Sequence, residues 1–463
     1  MNKELKIFNR MVRQVNINFA LNMKYFLLVF SLLSYYNTLC QTYNIVKYGA
    51  NPNGKTLSTE AIQKAIDACG NAGGGTVLIP AGTFLSGTLF LASNIRLEIS
   101  EGAVLMASNN LQDYQEDTKG EKHFIVADSA KNIVIAGNGI IDGQGSFFWD
   151  EKFKPLARPV GWIYLKNIEH LKIHQVNLQH SPSHTIRIQN CKFVNIDGIT
   201  IENHPRSPNT DGIDLVDTQY VTISNCIIRT GDDAICLKSK RRPVENITVS
   251  NCILESDDAA IKFGTGSANA TRFCNFNNLV IKNTRYGISL FMLDGGVFEH
   301  NRFSNIIIET GGRHPHTYPI FIDIDKRVDN RNYGTIRNNT FEKLNIITSG
   351  KILISGHTEK SIESISLRDI HIYLKEIADF SKASKPRGNK NFPKLASSVD
   401  LSRKRAHVIL SNIEYLELDN IKIATAPNVS QEREDFLLEN IKESNFKEID
   451  KGIVNPELKK DEP

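Results

Sequence analysis

Short runs in which aliphatic residues alternate with polar ones recur from about residue 95 to 424. Examples are NIVIAGNGIIDG (132–143), HLKIHQVNLQHS (170–181), FVNIDGITIEN (193–203), YVTISNCIIRT (220–230) and NITVSNCILES (246–256). Alternation with period two predicts strands that bury one face. Each run has aliphatic pairs on either side of a central Asn or Asp. That residue is placed to turn a corner, because Asn tolerates the left-handed backbone that corners need. From Val221 to Ile247 the pattern advances by one repeat of 26 residues. A repeat of this length with almost no helix predicts an all-β chain, a single-stranded parallel β-helix rather than a βαβ fold. A propeller would instead show antiparallel hairpin turns.

The ends of such a solenoid must be closed. Ser58 to Gly70 reads as a short amphipathic capping helix, with Ser58 as N-cap and Ala61, Ile62, Ala65, Ile66 and Cys69 on its apolar face. After Gly73-Gly74-Gly75, TVLIP reads as a first strand. The expected division is a signal peptide over 1–40, a β-helix over 41–425 and a charged tail over 426–463, the tail carrying one weak helical stretch, Arg433 to Glu443. Lys24, the apolar stretch Tyr25 to Leu33 and the small and polar residues before Cys40 form a secretory signal pattern. Export to a periplasmic or extracellular location is therefore expected, with Met23 as a plausible start. The apolar core is too short to span a bilayer, so no membrane insertion is expected. Two segments interrupt the repeat. Asn109 to Lys122 reads as a polar loop. Ser381 to Arg405, rich in Lys and Arg, reads as a solvated loop or as a basic rim beside a cleft.

Lys plus Arg exceed Asp plus Glu by only 4 in 463 residues, which gives no reason to expect a nucleic-acid partner. The seven cysteines contain no CxxC pair, and no zinc or redox site is expected from them. Cys191, Cys226 and Cys252 each follow Asn and are expected to stack at equivalent coil positions inside the solenoid.

The chemistry concentrates in SPNTDGIDL (207–215) and GDDAICLKS (231–239). Asp211 and Asp232 are 21 residues apart, about one coil, so Asp211, Asp232 and Asp233 are expected to meet on neighbouring coils. Carboxylates crowded in this way repel, and their pKa values separate as an acid and a base sharing one cleft require. Asp214 reads as a cap or corner residue.

With these two segments, the chain resembles the polygalacturonase family of glycoside hydrolases (family 28), pectin-cleaving enzymes with a right-handed parallel β-helix. The resemblance covers most of residues 42 to 424, including YNIVKYGA and GGGTVLIPAGTFLSGTLFL. It implies that Asp232 is the general acid and that Asp211 and Asp233 activate water in an inverting hydrolysis, supported by Asn209. It implies no cofactor, a pectic polysaccharide as substrate and a monomer. Two departures stand out. The family's histidine on the next coil is replaced by Ala259, and its carboxylate-gripping Arg and Lys are replaced by Ser289 and Phe291. Lys262, Arg285 and Lys238 are the substitute cations to consider, and His184 is placed to line the cleft. Asp257 and Asp258 are candidate hydroxyl acceptors. His314 and His316 lack the further ligands of a metal site, and none is expected. The altered clamp points to exo action or to a rhamnogalacturonan or side-chain substrate. The alternatives are a non-enzymatic pectin-binding solenoid and, behind it, a calcium-dependent lyase.

Overall fold

The computed structural model describes residues 41–327, 331–376, 400–427 and 434–449, with a few positions before residue 26. Met1–Thr42 is one compact unit, and its described positions up to Tyr25 are helical. The signal-peptide expectation falls mostly outside the described residues. Among the described residues, no helix is long and apolar enough to cross a membrane.

From Tyr43 onward the chain winds as a single-stranded, right-handed parallel β-helix. One coil is Ile213–Val216, Gln219–Ser224 and Ile227–Thr230; the next is Ile235–Lys238, Val244–Ser250 and Ile253–Ser256. Equivalent strands pair in parallel, Ile213 with Ile235, Val221 with Ile247 and Ile227 with Ile253. Three parallel sheets result, here numbered in the order each coil visits them. Inward positions stack aliphatics coil upon coil, then aromatics, with Phe263, Phe276, Phe303 and Phe341 all buried. At the corner after the second sheet, Asn225 and Asn251 have φ of 58° and 56°. Their amides form a ladder: Asn225 donates to Asp197, Asn251 to Asn225 and Asn278 to Asn251. Each side chain thereby satisfies the polar group that the turn exposes.

The cap is the α-helix Thr59–Asn71, which buries Ile62, Ala65, Ile66 and Cys69. Ser58 precedes it but does not cap it with its side chain; its hydroxyl accepts instead from the backbone N–H of Asn51.

Three expectations are corrected. The stretch read as weakly helical is a strand, Glu434–Ile449, paired along Ala406–Thr425. Phe436 and Leu438 bury on the inner face, and an open sheet edge outweighs local helix propensity. The cysteines do not all stack: Cys226 lies directly before Cys252 at one corner, whereas Cys191 sits at another, beside Thr218. Finally, Asp211 aligns with Asp233 rather than Asp232, because Gly212 N–H donates to the Asp233 carbonyl.

Candidate active site

The outward side of the first sheet carries the site. The backbone ladder there puts His184, Asp211, Asp233, Ala259, Tyr286 and Tyr318 in one row, coil after coil. Three residues on, Arg187, Asp214, Cys236, Lys262 and Ser289 form a second row. Both rows lie off the apolar core, which takes Ile213, Ile235, Ile261 and Ile288 from between them. Asp232 precedes Asp233 in the turn and is more exposed than Asp211 or Asp233, both buried.

Two lysines organise the buried acids. Lys238 Nζ lies 2.8 and 2.9 Å from the two oxygens of Asp214 and 3.4 Å from Asp211. Burial alone would raise Asp214, but Lys238 outweighs it and holds this carboxyl at about 2. Asp211 is less well served: burial, then the Asp214 charge, push it well above the usual carboxylate range. Lys238 keeps its proton strongly, since Asp214 and Asp211 overcome the effect of its burial. Lys262 Nζ lies 2.7 Å from Asp233 and 3.5 Å from Asp258. Burial pushes His184 down to about 4, so the ring is neutral at neutral pH. Its Nε2 is 3.8 Å from Asp211.

Asp232 is held from the other side. Asn209 Nδ2 donates to it at 3.3 Å, and Arg158 donates to Asn209 Oδ1 at 2.8 Å. Arg158 also ties down the carbonyls of Pro182 and Pro208, at 2.8 and 2.5 Å. Thr230 and Ser256 hydroxyls donate to the Asp232 carbonyl at 2.5 and 2.6 Å and fix the turn. A cavity of about 510 Å³ adjoins that turn, lined in part by Arg206, Thr230, Ser256, Asp257 and Arg313.

All eight residues singled out from the sequence therefore meet on one face: Asp211, Asp232, Asp233, Asn209, His184, Lys238, Lys262 and Arg285. The roles suggested for the cations need correction. Lys262 is 2% exposed, and both lysines are engaged by buried carboxylates rather than presented to a ligand. Arg285 lies 3.6 Å from Asp258 and over the Tyr286 ring. Asp257 is bound by Arg313 and His314. Asp257 and Asp258 are thus ion-paired, not idle hydroxyl acceptors. Trp162 is fully buried and stacked on Phe124, so it belongs to the core. Sequence reasoning missed Arg158, which carries no local motif, and gave Asp214 only a corner role.

Among the described residues, three groups here have a spacing that suits a cation: His184–Asp211–Asp214 and Asp232–Asp233–Asp258, with Asp211–Asp233–Cys236 shared between them. An ammonium already serves each of the first two, Lys238 in the first and Lys262 in the second.

Past Ser289 the outward rows turn apolar. Tyr286, Phe291, Tyr318, Phe321, Leu353 and Ile409 form a second buried cluster, covered by Leu401. Lys351 anchors the covering segment by donating to the carbonyls of Ser402 and Lys404 at 2.8 and 2.7 Å. The basic segment expected here lies largely outside the described residues, over 377–399. Toward the amino-terminal coils, the same rows continue as Arg187, Tyr164 and Val126 and stay partly exposed.

A 206-residue segment is 34% identical to an exopolygalacturonase of Zea mays, covering 42% of the chain and 48% of that relative. The chain thus spans about half the length of these curated relatives. An endo-polygalacturonase of Pectobacterium carotovorum is 27% identical over 68% of the chain and 84% of its own length. The crystal structure of an exopolygalacturonase from Thermotoga maritima shares the fold, with TM-score 0.64 at 21% identity over 83% of the chain and 91% of its own. The model of the glycosyl hydrolases of family 28 matches residues 69–373, and the chain belongs to that family.

Proposed function

We propose that the protein is an exported glycoside hydrolase that cleaves galacturonic acid-containing pectic polysaccharide with inversion. The observation that carries this reading is the contrast between Asp232 and its neighbours. Asp232 is the half-buried and more accessible acid, held by Asn209, which Arg158 in turn holds, while Asp211 and Asp233 are buried beside lysines. Asp232 protonates the leaving glycosidic oxygen. Asp211 and Asp233 hold the attacking water between them and take its proton. An inverting pair needs roughly 6.5–9.5 Å between acid and base. An oxygen of Asp233 lies within 4.8 Å of one on Asp211 and of one on Asp232, below that range, so the proposal makes Asp211 the base to which the range applies and Asp233 the group that helps hold the water.

Exo action is the second part of the proposal. The relatives' names point both ways, exo for the Zea mays protein and endo for the bacterial one. The covered apolar cluster begins within two coils of Asp233, on the order of 10 Å away at strand spacing. A groove closed that near the acids admits a chain end but not a continuous polymer. On homogalacturonan the first product is expected to be a monosaccharide, with rhamnogalacturonan fractions run beside it; an oligomer ladder would refute exo action. Asp232→Asn is expected to abolish product release with substrate binding kept. Unchanged turnover would remove Asp232 from the acid role. A product absorbing in the ultraviolet would mark a lyase instead.

A further inference from the structure

Three coils before Asp214 on the same outward face, a turn brings together three side chains with the chemistry of metal ligands. We propose that Asp117, Glu121 and His123 form a binding site for a divalent transition-metal ion of the zinc type. Each offers one ligand atom, and the three atoms lie within 4.8 Å of one another.

The turn is ordered before any ion arrives. Asp117 N–H donates to the Glu121 carbonyl at 2.8 Å, and Gly120 N–H donates to that of Asp117 at 3.0 Å. Asp117 Oδ1 accepts from the N–H groups of Lys119 and Glu121 at 2.8 and 2.9 Å. Glu116 and Lys122 close the turn by bridging. Oδ1 is thus used by the backbone, while Oδ2 faces His123 Nε2 at 3.6 Å.

His123 supplies a separate observation. It is 2% exposed, and its Nδ1 lies 3.1 Å from the Gly161 carbonyl. Only a protonated Nδ1 can bond to a carbonyl, so the neutral ring carries its lone pair on Nε2. That atom is buried without a hydrogen-bond partner. A lone pair facing a carboxylate across 3.6 Å is repulsive, and a cation between the two would remove the conflict. A ring N–H fixed on a backbone carbonyl is how metal-binding histidines are commonly oriented. Imidazole with two carboxylates suits zinc, manganese or cobalt better than calcium or magnesium. A cavity of about 440 Å³, lined by Asp117, His123, Tyr164 and Lys166 among others, gives an ion entry and an open coordination position. The site lies about 15 Å from Asp214 at strand spacing, through Val126, Tyr164 and Arg187. Asp117 and Glu121 fall inside the segment Asn109 to Lys122, read from sequence as a polar loop, and His123 follows it directly.

The test is zinc chloride titrated into the full chain after dialysis against a chelator, followed by calorimetry. One ion per chain is expected, with binding weakened roughly 10- to 100-fold by Asp117→Asn and by His123→Gln. Cobalt should give a visible absorption band in the native chain that both variants lose. Glu121→Gln, on a more exposed side chain, provides a check should the buried variants unfold. Zinc should raise the melting midpoint of the native chain and fail to do so for Glu121→Gln. No saturable zinc binding, or binding unchanged in the variants that remain folded, would overturn the site. The readout is binding, so it stands or falls apart from the hydrolase reading.

Discussion

At the scale of single residues, the site is a charge balance. Lys238 is shared unequally between Asp214 and Asp211, and that inequality separates their pKa values. Asp214 is lowered, so it contributes stability above the unfolded carboxylate value near pH 4, and the contribution is lost as pH falls toward about 2. Asp211 is raised, so the sign reverses: a folding penalty develops as pH climbs from the unfolded value through its own. If Asp211 must be ionised to accept a proton from water, the acid limb of kcat/KM lies above the ordinary carboxylate range. A pH–rate profile checks this, and a limb at or below pH 4 would exclude Asp211 as the base. Lys238→Met leaves two buried carboxylates without their cation. A loss of about 3–5 kcal/mol in urea unfolding at neutral pH is expected, with the acid limb moving upward. The acids were legible in the sequence because NTDG and GDD are compact and lie one coil apart. Arg158 was not, because its contacts to Asn209, Pro182 and Pro208 cross up to 51 residues of sequence and leave no local trace.

At the scale of elements, alternation and corner asparagines were enough to lay out most of the strands between Ile95 and Thr425. They work because each strand is half-buried and each corner demands a left-handed residue. The last coil escaped this reading. In Glu434–Ile449 the apolar pattern is diluted by Glu and Lys on the solvent side, which is also what protects an open edge from pairing with another chain. The cysteine misreading has a similar cause: Asn-Cys occurs at two different corners, and the dipeptide alone does not say which. Among the described residues, the final strand has a neighbour on one side only, so it should open first. In hydrogen exchange, amides of 434–449 should exchange well before those of 213–263. Phe436→Ala should cost about 3–5 kcal/mol locally while leaving protection around Asp211 intact. Equal loss of protection in both regions would show that the solenoid opens as a single unit.

At the scale of the whole molecule, the proposed exo action turns on where the outward rows are covered. Composition and repeat length identified the solenoid, but they carry no sign of that cover, where Lys351 meets carbonyls more than 50 positions away. Removing that anchor with Lys351→Ala should loosen the covering segment. The expected result on homogalacturonan is a shift from monosaccharide toward short oligomers. An unchanged monosaccharide product would mean that Lys351 is not what closes the groove.

The parallel register adds one more consequence. Along the first sheet, the backbone ladder joins each of these coils to the coil before and the coil after in the same alignment. On the proposed function, duplication or loss of an entire turn toward the amino-terminal coils would leave the backbone register of Asp211, Asp232 and Asp233 unchanged and alter how many sugar units are gripped ahead of the cut. The molecule is graduated like a ruler, and its scale can be lengthened without moving the zero mark.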